Sequence, residues 1–138
     1  QAACRAYGLT PRCLNNTFTS TSIKYGYQLA QQLFAQPLDC TAIFAATDTN
    51  ALGIIQAAEE RGIRIPEDLS LMGFDNIRDG GLPRIGLTTI EQPKKLLASM
   101  AVDSLLDKIE NELSGYTHRI LMPTLVERAS CRRIPPEA

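Results

Sequence analysis

The sequence predicts an α/β fold built on a parallel sheet. Helix-like and strand-like segments alternate along most of the 138 residues, and this alternation is typical of strands joined by right-handed helical crossovers. The strand-like segments 41–46 (TAIFAA) and 69–74 (LSLMGF) are continuous apolar runs. Such runs are the pattern of strands buried on both faces of a parallel, Rossmann-like sheet. The length corresponds to one domain.

The first half of the chain contains three predicted helices. The first ends at Gly8, and because no initiator Met precedes it, we expect the chain to be a piece of a longer protein. The segment 22–36 carries apolar residues at helical spacing. A third helix is expected from the polar residues 47–50, which include several N-cap candidates, to Gly62, which closes it.

The second half begins with the irregular, glycine-containing segment 75–86. A short β-branched strand is predicted at 87–90. Pro93 then opens a long helix with an apolar stripe that ends near 113. The segment 119–127 contains a proline and is expected to be an edge strand or a bent strand.

Charge and cysteine usage exclude several classes of function. The 14 basic and 15 acidic residues give a net charge of −1, so we do not expect this chain to bind nucleic acid by itself. The four cysteines form no C-x-x-C pair and only one histidine is present. No metal site is predicted, and the cysteines are expected to be small buried apolar residues in a reducing cytoplasm.

Two acidic residues follow the two apolar strands and define a candidate ligand site. Asp48 comes after TAIFAA, and Asp75 comes after LSLMGF. Ligands of open α/β sheets bind beyond the carboxyl ends of the strands. With the neighbouring Thr47 and Asn76, these carboxylates suit a ligand that presents hydroxyl or ring N–H groups. Two structural alternatives stay open: Asp48 as a helix N-cap, and Asp75-Asn76 as an Asx turn.

No set of residues in the sequence supports an enzyme. The chain contains no G-x-S-x-G elbow, no phosphate-binding glycine loop and no G-x-G-x-x-G. We therefore predict neither a catalytic residue nor a cofactor. Phe18 is either an aromatic that stacks on a flat ligand face or a core residue that caps the sheet.

Three segments together resemble the ligand-binding domain of the LacI/GalR family of bacterial transcription repressors. They are TAIFAATDTNALGIIQAAEERGIRIPEDLSLMGFDNI, LPRIGLTTIEQPKKLLASMAVDSLLDKI and LMPTLVERAS. The resemblance implies a periplasmic-binding-protein-like (type I) fold, in which two α/β subdomains enclose an effector. It also implies that residues 1–90 belong to the C-terminal subdomain, whose first strand is missing. Residues 91–118 would then be a crossing helix of the N-terminal subdomain, 119–131 the strand that returns, and 132–138 a tail.

The resemblance also implies roles for individual residues. Asp75 matches the family's effector-binding aspartate. Thr47, Asp48, Phe18 and Gln92 are the further ligand-binding candidates. The residues that match parts of the family's dimer interface are Asn50, Ala51, Ile54, Leu82 and Pro83.

The implied function is that of a cytoplasmic, homodimeric sensor. A sugar-like effector would bind between the subdomains and change the affinity of a DNA-binding domain, absent from this chain, for its operator. The alternative with the same fold is a periplasmic sugar-binding protein of a transport system.

Overall fold

A computed structural model describes residues 2–14, 20–110 and 118–133. The helices and strands in chain order are α1 (Ala2–Ala6), α2 (Ile23–Leu33), β1 (Ala42–Phe44), α3 (Asp48–Arg61), β2 (Ser70–Met72), β3 (Thr89–Glu91), α4 (Lys94–Glu110) and β4 (Thr124–Val126). A short 3-10 helix covers Asp79–Gly81. The α/β class predicted from the sequence is confirmed.

Local capping defines the ends of the two packed helices. Ser22 is the N-cap of α2, and its hydroxyl accepts a hydrogen bond from the backbone N–H of Tyr25. Thr47 is the N-cap of α3. Gly62 ends α3 in the left-handed conformation, with a φ of 68°. The helix boundaries expected from the sequence are therefore confirmed to within a few residues.

Helices α2 and α3 pack with their backbones in contact. A Cβ added to Gly26 would lie 2.1 Å from the carbonyl oxygen of Asn50, and one on Gly53 would lie 2.0 Å from that of Ile23. Only glycine allows this approach at both positions. The pair covers one side of a core made of Ala30, Phe34, Ala45, Ala51, Ile54, Ala57, Ala58, Leu69, Leu71 and Leu87.

The sheet is parallel where the sequence predicts it. Strand β1 pairs with β2 in parallel, and Met72 of β2 forms a parallel bridge with Thr88 just before β3. Strands β3 and β4 form a separate antiparallel pair. The chain therefore brings the ends of β2 and β3 side by side.

Strand β1 corrects one expectation. Burial on both faces was expected, but the Phe44 side chain is 61 % exposed. Ala45 is buried in the core and Ile43 packs against it, whereas Phe44 points to the other face because side chains alternate along a strand. Within the described part of the chain, the core covers one face of β1.

Helix α4 has no buried residue. Met100 is half-buried, and the other large apolar side chains are exposed, namely Leu96, Leu97, Val102, Leu105, Leu106 and Ile109. An apolar stripe on a helix ordinarily faces a core, so α4 differs in this respect from α2 and α3. The boundaries of its helical pattern beyond Glu110, at 111–117, lie outside the described residues.

The cysteines correct a second expectation. Cys13 and Cys131 are exposed, and Cys4 and Cys40 are half-buried. The Cys131 thiol donates to the carbonyl oxygen of Leu71. Among the described residues, Cys40 is the cysteine that packs against the core, so the general prediction of buried cysteines is wrong.

Candidate functional site

Asp75 lies in the loop that follows β2 and is half-buried. Its Oδ1 accepts a hydrogen bond of 2.9 Å from the side-chain amide of Gln92. Gln92 comes directly after β3, and Lys94, two residues further on, donates to the backbone carbonyl of Asp75. Two of the residues predicted to bind a ligand, Asp75 and Gln92, are thus in direct contact at the end of the sheet.

The backbone at this point is held in an unusual conformation. Asp75 has a φ of 116° and Asn76 a φ of 50°. Each such residue costs about 1–3 kcal/mol and persists only where the surrounding structure enforces it. The sequence also allows an Asx turn at these two residues. In the structure, the loop is held by hydrogen bonds to distant parts of the chain.

Three consecutive N–H groups of the loop bind three acceptors outside it. The N–H of Asp75 donates to the Ile90 carbonyl oxygen at 2.9 Å. The N–H of Asn76 donates to Thr89 Oγ1 at 3.3 Å, and that of Ile77 to Asp48 Oδ2 at 2.9 Å. These bonds offset the cost of the positive φ angles and fix the direction of the Asp75 side chain.

Asp48 supports this loop from the buried side. Its side chain is 0 % exposed, and Oδ1 accepts a 2.6 Å bond from the Thr89 hydroxyl. Its backbone N–H donates to the Phe74 carbonyl at 2.7 Å. A Cβ on Gly73 would lie 2.1 Å from Asp48 Oδ1, so the carboxylate fills the space directly beneath the loop.

The position of Asp48 changes its predicted role. Both carboxylate oxygens are bonded inside the protein, which leaves no accessible surface for a ligand. Thr47, not Asp48, is the N-cap of α3. Asp48 is a positioning residue in the first turn of α3, where a negative charge is favourable.

The other predicted ligand residues are placed as follows. Thr47 is half-buried, and its Oγ1 accepts from the N–H of Asn50 at 3.1 Å while its hydroxyl donates to Asn50 Oδ1 at 3.1 Å. In the structure the Thr47 side chain caps α3, and ligand contact by Thr47 stays a prediction. Phe18 lies outside the described residues.

Three of the predicted interface residues are part of the protein interior. Asn50, Ala51 and Ile54 are 7, 0 and 7 % exposed. The Asn50 side-chain amide donates to the carbonyl oxygens of Ser20 and Ser22, which places it between α2 and α3. These side chains pack within this chain, and their interface role stays a prediction. Leu82 and Pro83 are exposed, and their interface role stays a prediction.

Sequence reasoning missed Arg128, which follows β4. One guanidinium nitrogen donates to Asn76 Oδ1 and the other to the Leu87 carbonyl oxygen, both at 2.6 Å. Its backbone N–H donates to Thr88 Oγ1 at 3.0 Å. Arg128 is 52 residues away from Asn76 along the chain, and no local pattern indicates such a contact.

The clear pKa shifts lie away from this site. The Tyr27 pKa is raised because its hydroxyl donates to Glu60. Burial raises the pKa of the Cys40 thiol. The bond from Arg64 holds the pKa of Asp68 well below its usual range. Tyr27 and Cys40 are half-buried against the core, and Asp68 pairs with Arg64 at the surface.

No helix in the described ranges is long and apolar enough to span a membrane. Likewise, no group of three or more histidine, cysteine or acidic side chains there is arranged to hold a metal ion. The loop after β2 offers the half-buried carboxylate of Asp75 on a fixed backbone, and the segment after β3 offers the amide of Gln92. That set can accept and donate hydrogen bonds to a polar molecule.

Comparison with known proteins places this geometry in a family. Residues 1–131 match the model of the periplasmic binding protein-like domain. The HTH-type transcriptional repressor PurR of Escherichia coli O139:H28 is 42 % identical over 105 residues, which cover 76 % of this chain and 31 % of that protein. The chain thus spans about a third of the length of the curated relatives it matches.

Solved structures show the same fold. A LacI-family transcriptional regulatory protein from Corynebacterium glutamicum is 35 % identical with a TM-score of 0.81, over 94 % of this chain and 50 % of that one. A LacI-family regulator from Enterococcus faecium with bound ribose is 31 % identical with a TM-score of 0.81, over 94 % of this chain and 48 % of that one. The chain belongs to the periplasmic binding protein-like domain family, as part of an effector-binding domain of the LacI/GalR type.

Proposed function

We propose that this chain is the effector-sensing part of a DNA-binding transcriptional repressor, and that a small polar effector binds at the Asp75–Gln92 contact. The observation that carries the proposal is that contact itself. A carboxylate and an amide from two separate segments meet at the end of a parallel sheet, which is where open α/β folds bind ligands.

Asp75 has unused capacity to bind a ligand. Its Oδ1 accepts from Gln92, and within the described ranges no hydrogen bond reaches Oδ2. The Gln92 amide carries a carbonyl oxygen and a second N–H as well. The pair could therefore accept from and donate to adjacent hydroxyl groups of one molecule.

A sugar or sugar derivative fits this chemistry. Its neighbouring hydroxyls are both donors and acceptors, and a carboxylate forms strong bonds with them. The regulator from Enterococcus faecium, which is 31 % identical, was solved with ribose bound. Ribose is therefore the first compound to test on this protein.

The second wall of the site would come from another subdomain. Helix α4 follows Gln92 and has no buried residue, and most of its apolar side chains are exposed. We assign 91–118 to that subdomain, residues 1–90 and 119–131 to the one described above, and 132–138 to a tail. An effector held between the two would favour the closed arrangement by its differential affinity.

DNA contact and dimer formation belong to the whole protein. A chain with a net charge of −1 is not suited to bind phosphate groups, so operator binding requires a separate domain. A homodimer, with Leu82 and Pro83 at the interface between its two copies, would let effector binding change the spacing of two such domains. This function places the protein in the cytoplasm. The transport-protein alternative is not retained, because the curated relatives are named transcriptional repressors.

The test is calorimetry on the full-length protein with ribose and a panel of other sugars. Asp75→Asn removes the charge and keeps the size, and is expected to weaken binding of the active compound by about 10–100-fold, as for a lost charge-assisted bond. Asp79→Asn is the matched control, since Asp79 is exposed in the neighbouring 3-10 helix, and should bind like the wild type. Equal affinities for Asp75→Asn and the wild type would refute the role of Asp75.

A further inference from the structure

Arg128 joins the segment after β4 to the loop after β2 that contains Asp75 and Asn76, which is the ligand loop of the proposed function. Its two terminal nitrogens bond to Asn76 Oδ1 and to the Leu87 carbonyl oxygen, each at 2.6 Å. Both acceptors are uncharged. Arg128 is therefore a cation whose two guanidinium hydrogen bonds go to neutral groups.

The surroundings fix Arg128 in place. The backbone N–H of Arg128 donates to Thr88 Oγ1 at 3.0 Å. A Cβ on Gly81 would lie 3.5 Å from its terminal nitrogen, so the 3-10 helix lies directly against it. A planar, rigid group with two bonds in fixed directions constrains its partners more strongly than a flexible ammonium group would.

We propose that Arg128 is a positioning residue of the ligand site, which acts through Asn76 to hold Asp75 in the conformation that receives the effector. The inference rests on the proposed ligand role of Asp75, but its mechanism is independent of the ligand. Asn76 has a φ of 50° and Asp75 a φ of 116°. The bond to Arg128 is the side-chain anchor of Asn76, whose backbone N–H reaches Thr89 at the longer distance of 3.3 Å.

The location of Arg128 in the chain gives this contact a consequence. Arg128 follows β4, which pairs with β3, and β3 leads directly to Gln92 and α4. A shift of the returning segment would therefore move the anchor of the ligand loop. Conversely, an effector that fixes Asp75 would favour one position of that segment.

The test is residue-resolved amide hydrogen exchange by NMR on the full-length protein without ligand. Arg128→Met keeps most of the aliphatic stem and removes all donors of the side chain. In the wild type, local opening of the loop must break the charge-assisted bond from Arg128 to Asn76. Without that bond, opening costs less free energy, so exchange of the Asn76 and Ile77 amides should accelerate by about tenfold or more. Amides of α3 should be unchanged. Equal exchange of Asn76 and Ile77 in variant and wild type would overturn the proposal.

Arg132→Met is the matched control. Arg132 lies in the same segment and also donates to backbone carbonyls, but those belong to Pro66 and Glu67. It should therefore leave the Asn76 and Ile77 amides unaffected. If both variants accelerated these amides equally, the effect would be a general loosening of the segment and the assignment to Arg128 would be lost.

A second variant tests the route through Asn76. Asn76→Gly removes the acceptor and still permits the positive φ. In that background, Arg128→Met should change the exchange of Ile77 by less than about twofold, since coupled residues show non-additive effects. A full tenfold effect in the Asn76→Gly background would overturn the route through Asn76. Arg128→Lys should give an intermediate rate. Because no ligand is added, failure here is distinct from failure of the calorimetric test of Asp75.

Discussion

Replacing Asp48 by Asn should destabilise the protein far more than its size suggests. The carboxylate accepts from the Thr89 hydroxyl and from the Ile77 N–H at once, and it is fully buried. A neutral amide offers one acceptor oxygen in either orientation. The change therefore removes at least one charge-assisted bond, worth about 1.5–3 kcal/mol. It also removes a favourable charge in the first turn of α3, worth about 0.3–1 kcal/mol. The sum is a loss of about 2–4 kcal/mol in the free energy of unfolding.

Urea denaturation of the full-length protein measures this loss, and amide exchange at Ile77 locates it. Asp39→Asn is the matched control, because Asp39 pairs with Arg12 at the surface with more than half of its side chain exposed. That change should cost less than about 1 kcal/mol. A cost below about 1 kcal/mol for Asp48→Asn, with unchanged exchange of the Ile77 amide, would refute the supporting role of Asp48.

Two further predictions concern helix packing and acid stability. Gly53→Ala should lower the free energy of unfolding by about 1–3 kcal/mol, because the added Cβ would lie 2.0 Å from the Ile23 carbonyl oxygen. Alanine is normally the better helix former, so a raised free energy of unfolding in urea denaturation would contradict the close packing. Asp68 has a pKa lowered from 3.8 by Arg64, so its contribution to stability is present above that value and is lost as the pH falls below it. Asp68→Asn should therefore flatten the decline of stability in acid, measured by denaturation at a series of pH values, and an unchanged decline would count against this ion pair.

Local chemistry accounts for what the sequence predicts correctly. The end of α3 at Gly62 and the apolar run of β2 are decided within a few residues, so pattern and propensity suffice. Asp75 is at a strand end for the same reason. The parallel pairing of β1 with β2 follows from the helix between them.

Contacts between distant segments account for what the sequence does not predict. Asp48 is a polar residue at a strand end whether it faces solvent or the interior, and only the position of Thr89 decides between these alternatives. The interior location of Asn50 depends on a close approach of helices that two glycines permit. The Arg128–Asn76 bond joins residues far apart in the chain. Each of these misses concerns which partner a polar group finds, and the partner is set by tertiary structure.

The way the loop after β2 is held bears on how such a site can change its ligand. Its backbone is anchored by main-chain N–H groups and by the side chain of Asn76, and the carboxylate of Asp75 contributes to none of these bonds. The residue at 75 can therefore be exchanged for another that tolerates a positive φ, such as Asn or Gly, without rebuilding the scaffold. With the role proposed for Asp75, recognition and folding are encoded at separate positions, and a protein built this way can acquire a new specificity through a single codon.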